Sequence, residues 1–323
     1  MDKTEEQIMD ELNKELKGQL TAGSLRMKVR IAPELGDENP FEEGTALAGG
    51  EKGAANLYGA CSIEKFKCAG SLSYTHEDAA GWLSYVEKFN PRNFWYQDEG
   101  VKPWIYYEQY DSWLDTYGID AVRAVYHSGH GGMDGNGKFY IPMGGEWGNF
   151  GCTVVTDPKL MGLGGGHPDE AGGTFGNEKI RYIFWSTCVS CRVLDGNTPA
   201  RTWSQVHKGF RMLFGFETTS WDSGDYGKNF WEEWNKNSKP LSTAWLDASW
   251  RIAHDMAPSV AACGATRDEV VNRLNTERYL SPDPASGAWW AWRWYNVASV
   301  AREPNLALPQ EPLVAKLQPA TLS

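Results

Sequence analysis

Two short apolar runs in this chain each end at a residue able to do chemistry. Ala121-Val122-Arg123-Ala124-Val125-Tyr126 leads into His127-Ser128-Gly129-His130-Gly131-Gly132. Further on, Ile180-Arg181-Tyr182-Ile183-Phe184-Trp185 leads into Ser186-Thr187-Cys188. Both runs are rich in β-branched and aromatic residues and are followed by glycine or small polar residues, as buried parallel strands are. The carboxyl ends of neighbouring strands in an open α/β sheet are where ligands and chemistry collect. A histidine at one strand end and a cysteine at the next would make a thiolate–imidazole pair able to attack a carbonyl.

The elements around these runs predict how they are held. Asn56–Phe66 reads as a first strand. Thr75-His76-Glu77-Asp78 resembles a capping box opening a helix with Trp82, Val86 and Phe89 on one face. Asn93–Gln97 reads as a second strand, and Pro103 starts a helix ending near Gly118. After the strand into His130, a glycine-rich excursion from Gly131 to Gly176 contains a hairpin around Lys138–Pro142. Beyond Cys188, Thr202–Lys208 reads as a helix and Arg211–Phe216 as a strand. Helices around Phe230–Lys236 and Thr243–Met256 follow, and Trp289–Trp294 leads into a late strand. Such alternation predicts a parallel sheet with right-handed crossovers. Residues 1–54 are expected to form a charged helix (Glu5 to Leu16) and a linker, 55–280 the main domain, and 281–323 a Trp-rich extension packed on it.

This order of elements resembles the caspase-like cysteine peptidases, closest to CHAT-type and gingipain-like members. Their signature is a hydrophobic strand ending in His-Gly, here His130-Gly131, then one ending in a small residue and the nucleophile, here Thr187-Cys188. Lys208–Phe216 and Leu241–Trp245 resemble the elements that follow the nucleophile in those proteins. The resemblance covers roughly Asn56 to Met256. It implies a three-layer α/β sandwich with a mostly parallel central sheet and helices on both faces, and an endopeptidase needing no cofactor or metal. Cys188 would be the nucleophile and His130 the general base and acid, with the backbone N–H groups of Gly131 and Cys188 as oxyanion hole. The substrate pocket would fall on Ser186, Glu217, Trp221 and Asp222. Its acids would suit a Lys or Arg side chain. An arginine-rich pocket, as Asp-specific caspases have, is not evident.

Other readings of the same residues stay open. His127 competes with His130 as the base, although glycine follows only His130. His127, His130, Cys188 and Cys191 together are a complete zinc set, which would make the chain a binding or regulatory module. A dedicated acyl-transfer or peptide-processing enzyme would use the same dyad. A redox role for Cys188-Val189-Ser190-Cys191 lacks the thioredoxin-like strand order. Asp134-Gly135-Asn136-Gly137 lacks the downstream glutamate of a calcium loop, and Gly162–Gly166 lacks the Lys-Ser/Thr of a phosphate loop.

Composition narrows the partners. The net charge of −11 argues against nucleic acid or an anionic membrane surface. A peptide or protein substrate is expected. No run of about eighteen apolar residues predicts a membrane span, and the polar start Met1–Glu6 does not read as a secretory signal. The 6 cysteines are too few and scattered for a disulfide scaffold, so a reducing, cytoplasmic setting is expected. The 16 tryptophans predict large aromatic clusters in the core or along a groove.

Overall fold

The apolar runs that precede His130 and Cys188 lie side by side in the computed structural model, which describes residues 36–41, 56–107, 114, 116–157, 179–295 and 313–316. All of these belong to one unit, Pro33–Ser323. In chain order the first elements are β1 (Tyr58–Ser62), α1 (Thr75–Val86), β2 (Phe94–Gln97), β3 (Ala124–Ser128), β4 (Gly132–Met133), β5 (Phe139–Pro142), β6 (Thr153–Val155) and β7 (Tyr182–Ser186). Then come α2 (Pro199–Trp203), β8 (Met212–Phe216), α3 (Tyr226–Asn235), α4 (Leu241–Trp250), β9 (Pro258–Gly264), α5 (Arg267–Thr276), β10 (Trp289–Trp294) and β11 (Leu313–Lys316).

The 8-stranded sheet has the order β11-β10-β9-β8-β7-β3-β1-β2, and β4, β5 and β6 form a small antiparallel sheet beside it. From β2 to β8 every pairing is parallel; from β8 through β9 and β10 to β11 every pairing is antiparallel. The sheet is therefore mixed, which corrects the expectation of a mostly parallel one. The difference has a physical source. Ser259-Val260-Ala261-Ala262-Cys263-Gly264 is made mostly of small residues and carries little strand signal, yet it forms the fully buried β9. The run Trp289–Trp294 is itself β10 rather than a lead-in to a strand, so the expected C-terminal extension is part of the sheet.

Other boundaries shift as well. Where one helix from Pro103 to near Gly118 was expected, the structure has a turn at Pro103–Ile105 and helical residues at Leu114, Thr116 and Tyr117, while residues 108–113 and 115 lie outside the described residues. The charged helix Glu5–Leu16 and the glycine run 162–166 also lie outside them. Part of the expected linker is docked on the domain. Phe41 stacks on Tyr58 at 5.8 Å, and the Glu38 carboxylate accepts from Arg278 and Tyr279.

Alternation along the central strands gives the sheet two faces. One carries Tyr58, Ala60, Tyr126, Phe184, Phe214 and Phe216, which share a single core with α1, α3, α4 and α5. Phe184 stacks on Phe214 at 4.2 Å, and Trp82 lies 5.5 Å from Tyr126 and 5.6 Å from Trp231. The opposite face carries His127 and Trp185 and is covered by Tyr106, Phe139 of β5 and Trp203 of α2. The tryptophans thus go mainly into the core; Trp221, 58% exposed, is the exception that matters for the site.

One buried charge ties these layers together. The Asp78 carboxylate, in the first turn of α1, accepts from Tyr126 Oη (2.7 Å), Ser128 Oγ (2.8 Å) and the Gly227 N–H at the start of α3 (2.9 Å). Ser186 also hydrogen-bonds to it. The expected capping box does not form: α1 has no side-chain cap, and Asp222 accepts from the N–H groups of Ser73 and Tyr74 just ahead of it.

Burial pushes the Asp78 pKa up from 3.8 to about 6, against the pull of its donors. The folded state then holds this proton more tightly than the unfolded chain. Its contribution to stability is complete below pH 4 and is lost as pH rises through about 6. Urea titrations are expected to show unfolding free energy falling by about 2–3 kcal/mol across that interval on account of Asp78. Asp78→Asn should remove that component of the slope.

Candidate active site

Register brings the segments that carry His130 and Cys188 to the same end of the sheet. Ser62 pairs with Ser128, and Ser128 with Ser186, so β1, β3 and β7 end at one level. The Gly129 N–H donates to the Ser186 carbonyl at 3.2 Å, one rung beyond. His130 and Cys188 then stand at equivalent positions past Ser128 and Ser186. The two segments touch directly. A Cβ added to Gly131 would lie 2.7 Å from the Cys188 carbonyl oxygen, 2.8 Å from the Phe139 ring and 3.0 Å from Thr187 Cβ. Only glycine permits this approach of His130-Gly131 to Thr187-Cys188.

Cys188 is partly buried, and the Ser220 N–H donates to its Sγ at 3.3 Å. The Ser220 hydroxyl lies 3.6 Å from the same sulfur. The next residue, Val189, has φ +51°, a left-handed conformation that a β-branched side chain rarely takes. It is held there by its N–H bond to the Thr218 carbonyl (2.9 Å) and by the Cys191 N–H bond to Phe216 (2.9 Å). The chain thus leaves β7 through a constrained turn at the cysteine, of the kind that clusters at reactive sites.

His130 is also partly buried. Its ring packs on Phe66 at 4.7 Å, and its Nε2 lies 3.0 Å from the Gly70 carbonyl oxygen. A carbonyl can only accept, so Nε2 carries the hydrogen in this contact, and Nδ1 of the neutral ring is left as the basic nitrogen.

His127 is placed differently. It sits inside β3, fully buried, with Nδ1 bonded to the Tyr106 hydroxyl and Nε2 without a hydrogen-bond partner. Burial pulls its pKa down from 6.5 to about 3. Cys191 is equally buried, and desolvation pushes its thiol up. The zinc set is therefore not assembled: His127 is enclosed in the core, and His130 is bonded to a carbonyl. Among the described residues no three His, Cys, Asp or Glu side chains gather to hold a metal.

The expected pocket residues have other partners. Ser186 is turned into the Asp78 network, and Glu217 is buried, accepting from the N–H groups of Val193 and Leu194. Asp222 is exposed but accepts from the backbone ahead of α1. These carboxylates hold loops on either side of Cys188 rather than standing free for a cationic side chain. Trp221 does stand open beside Ser220, steadied by a 2.7 Å bond from Nε1 to Asp255. The residues that sequence reading missed are Phe66, Gly70 and Ser220. Ser220 falls in the loop Glu217–Asp222, already suspected of facing the site. Nothing in Lys65-Phe66-Lys67-Cys68-Ala69-Gly70 signals a partner some sixty residues away.

Cys68 and Cys152 form a disulfide, with Cα atoms 6.3 Å apart. Disulfides persist in oxidising compartments, so the scattered cysteines no longer argue for a reducing one. Among the described residues no helix is long and apolar enough to cross a membrane.

A family described as a domain of unknown function, DUF6345, matches residues 60–294. The chain belongs to the DUF6345 family. The DUF6345 match runs from β1 to the last residue of β10 and takes in both His130 and Cys188. Comparison with curated proteins finds no match. Among solved structures the chain is similar to the Arg specific cysteine proteinase gingipain R, with a TM-score of 0.36 and 12% identity. That alignment covers 74% of this chain and 54% of the other, so it spans about half of the gingipain chain.

The burial of His127 has a consequence for acid stability. Its stabilising contribution is present above pH 6.5 and is lost as pH falls toward 3, at up to about 1.4 kcal/mol per pH unit. Urea unfolding between pH 7 and pH 4 is expected to show a weaker acid destabilisation for His127→Phe than for the wild type. The rate of Cys188 alkylation at pH 7 should change little in the same variant.

Proposed function

We propose that this chain hydrolyses peptide bonds as a cysteine-dependent, caspase-like endopeptidase with Cys188 as nucleophile and His130 as base and acid. The observation that carries this reading is the packing of His130-Gly131 on Thr187-Cys188 at the ends of adjacent parallel strands. The hydrogen bond into Cys188 Sγ and the carbonyl on His130 Nε2 support it further.

In the proposed reaction His130 Nδ1 takes the Cys188 proton, and the thiolate attacks the scissile carbonyl carbon. The N–H groups of Gly131 and Cys188 receive the developing oxyanion. His130 then hands the proton to the leaving amine as the C–N bond breaks, leaving a thioester. Water, deprotonated by His130, attacks the thioester; the acid product departs and the thiol re-forms. Trp221 supplies an apolar wall beside the nucleophile for a substrate side chain. Selectivity for Lys or Arg through Glu217 or Asp222 is not part of this reading, because backbone N–H groups occupy both.

A peptide library with mass-spectrometric readout, together with labelling by a thiol-directed peptide electrophile, tests the proposal. Cys188→Ala should abolish both signals while leaving the melting curve in place, whereas Cys191→Ala should keep most of the activity. His130→Ala should lower kcat/KM by about a hundredfold or more. Gly131→Ala should also impair turnover, since its methyl must push the two segments apart at a cost of about 1–3 kcal/mol. Hydrolysis that survives Cys188→Ala, or an electrophile that settles on another cysteine, would overturn the assignment.

A further inference from the structure

We propose that the Cys68–Cys152 disulfide is a redox latch that holds the loop orienting His130, so that its reduction slackens the base. The proposal rests on His130 acting as the base of Cys188. The loop between β1 and α1 is rooted at both ends. The N–H groups of Glu64 and Lys65 donate to Asp98 Oδ1 at 2.8 and 2.9 Å, and Leu72 N–H donates to the Glu64 carbonyl at 2.9 Å. Its tip carries both groups that touch His130, the Phe66 ring and the Gly70 carbonyl. Cys68 lies midway between them.

What fastens the tip to the rest of the protein is the small sheet. Lys67 N–H donates to the Met143 carbonyl at 3.1 Å, and Cys68 is bonded to Cys152, whose own carbonyl accepts from Met143 N–H at 2.7 Å. A Lys67–Glu146 ion pair at 3.7 Å joins the same two segments, but both side chains are more than half exposed. Such a pair adds little. The covalent bond is therefore the strongest described link between the tip and the sheet beginning at Gly132, two residues beyond His130. Cys68 is exposed, so a dithiol can reach it. One thiolate of the dithiol attacks a sulfur of the pair to give a mixed disulfide. The second thiol displaces it, leaving two cysteine thiols and an oxidised dithiol, with two electrons and two protons transferred. The tip is then joined to the small sheet by one backbone hydrogen bond, a screened ion pair and the weak contacts of the freed Cys68 thiol with the Cys152 carbonyl (3.1 Å) and the Thr153 hydroxyl (3.6 Å).

The test compares intact protein before and after reduction with dithiothreitol, and again after reoxidation. It has two readouts. One is kcat/KM on a cleaved library peptide. The other is the imidazole ¹H–¹⁵N spectrum of His130 in Cys188→Ala, which reports the tautomer without requiring hydrolysis. The oxidised protein should show the Nε2–H tautomer, and the reduced protein a mixture of tautomers. kcat/KM should fall about tenfold or more, a part of the usual general-base contribution, and should recover on reoxidation. Cys68→Ser/Cys152→Ser should match the reduced protein and ignore the reductant. If that variant does not fold, the reversible reduction of the intact chain still decides. An unchanged His130 spectrum in the reduced protein would make the disulfide a plain staple and overturn the latch. Absence of hydrolysis in every state, with the tautomer change intact, would count against the peptidase reading and leave the latch standing.

Discussion

A carboxylate with no access to water sits beneath the reactive strand ends, and much of the site's geometry passes through it. Asp78 gathers Tyr126 and Ser128 from β3, Ser186 from β7 and the first N–H of Gly227 from α3. Burying such a group costs several kcal/mol unless donors meet it, and here they come from separate parts of the chain. Because Ser128 and Ser186 are both fastened to Asp78, β3 and β7 cannot slide past one another without leaving it unsatisfied. A one-residue slip would also exchange their faces and turn Tyr126 and Phe184 out of the core. His130 and Cys188 inherit this fixed register.

Rigid surroundings allow the strained turn at Val189 to persist. Behind it, the Ser190 hydroxyl donates to the Thr187 carbonyl at 3.0 Å, and Trp203 Nε1 donates to the Ser190 carbonyl at 2.8 Å. Gly215 gives Ser190 room, since a Cβ there would meet its Oγ at 2.2 Å. Beneath these, Trp203 stacks on Trp185 at 5.5 Å, and Trp185 packs on Phe139, which also walls Gly131. Aromatic packing of this density resists small displacements of the segments that carry His130 and Cys188.

Much of this organisation could be read from the residues. The strands into His130 and Cys188 announced themselves through Val125, Tyr126, Ile183 and Phe184; Gly131 was read as part of an oxyanion hole, and the structure adds that it gives room to the Cys188 backbone. Where reading failed, the signal was non-local or weak. β9 is built of small residues whose strand character comes from its neighbours on both sides. Thr75–Asp78 has the spacing of a capping box, but the tertiary structure draws Asp78 inward and brings Asp222 to the start of α1. Glu217 and Asp222 have the charge to bind a cation; only folding revealed that backbone N–H groups take them up. The Gly70 carbonyl that orients His130 belongs to the main chain, and no side chain betrays it.

The positions of the cysteines along the chain bear on how the molecule is made. Cys68 and Cys152, 84 residues apart, both leave the ribosome before Cys188 does. Of the cysteines made before Cys152, the remaining one is Cys61, which the sheet encloses once β1 is paired on both sides. In an oxidising compartment the pair can therefore close while the nascent chain still lacks Cys188. The order of synthesis itself then guards the Cys188 sulfur from mispairing with either of them.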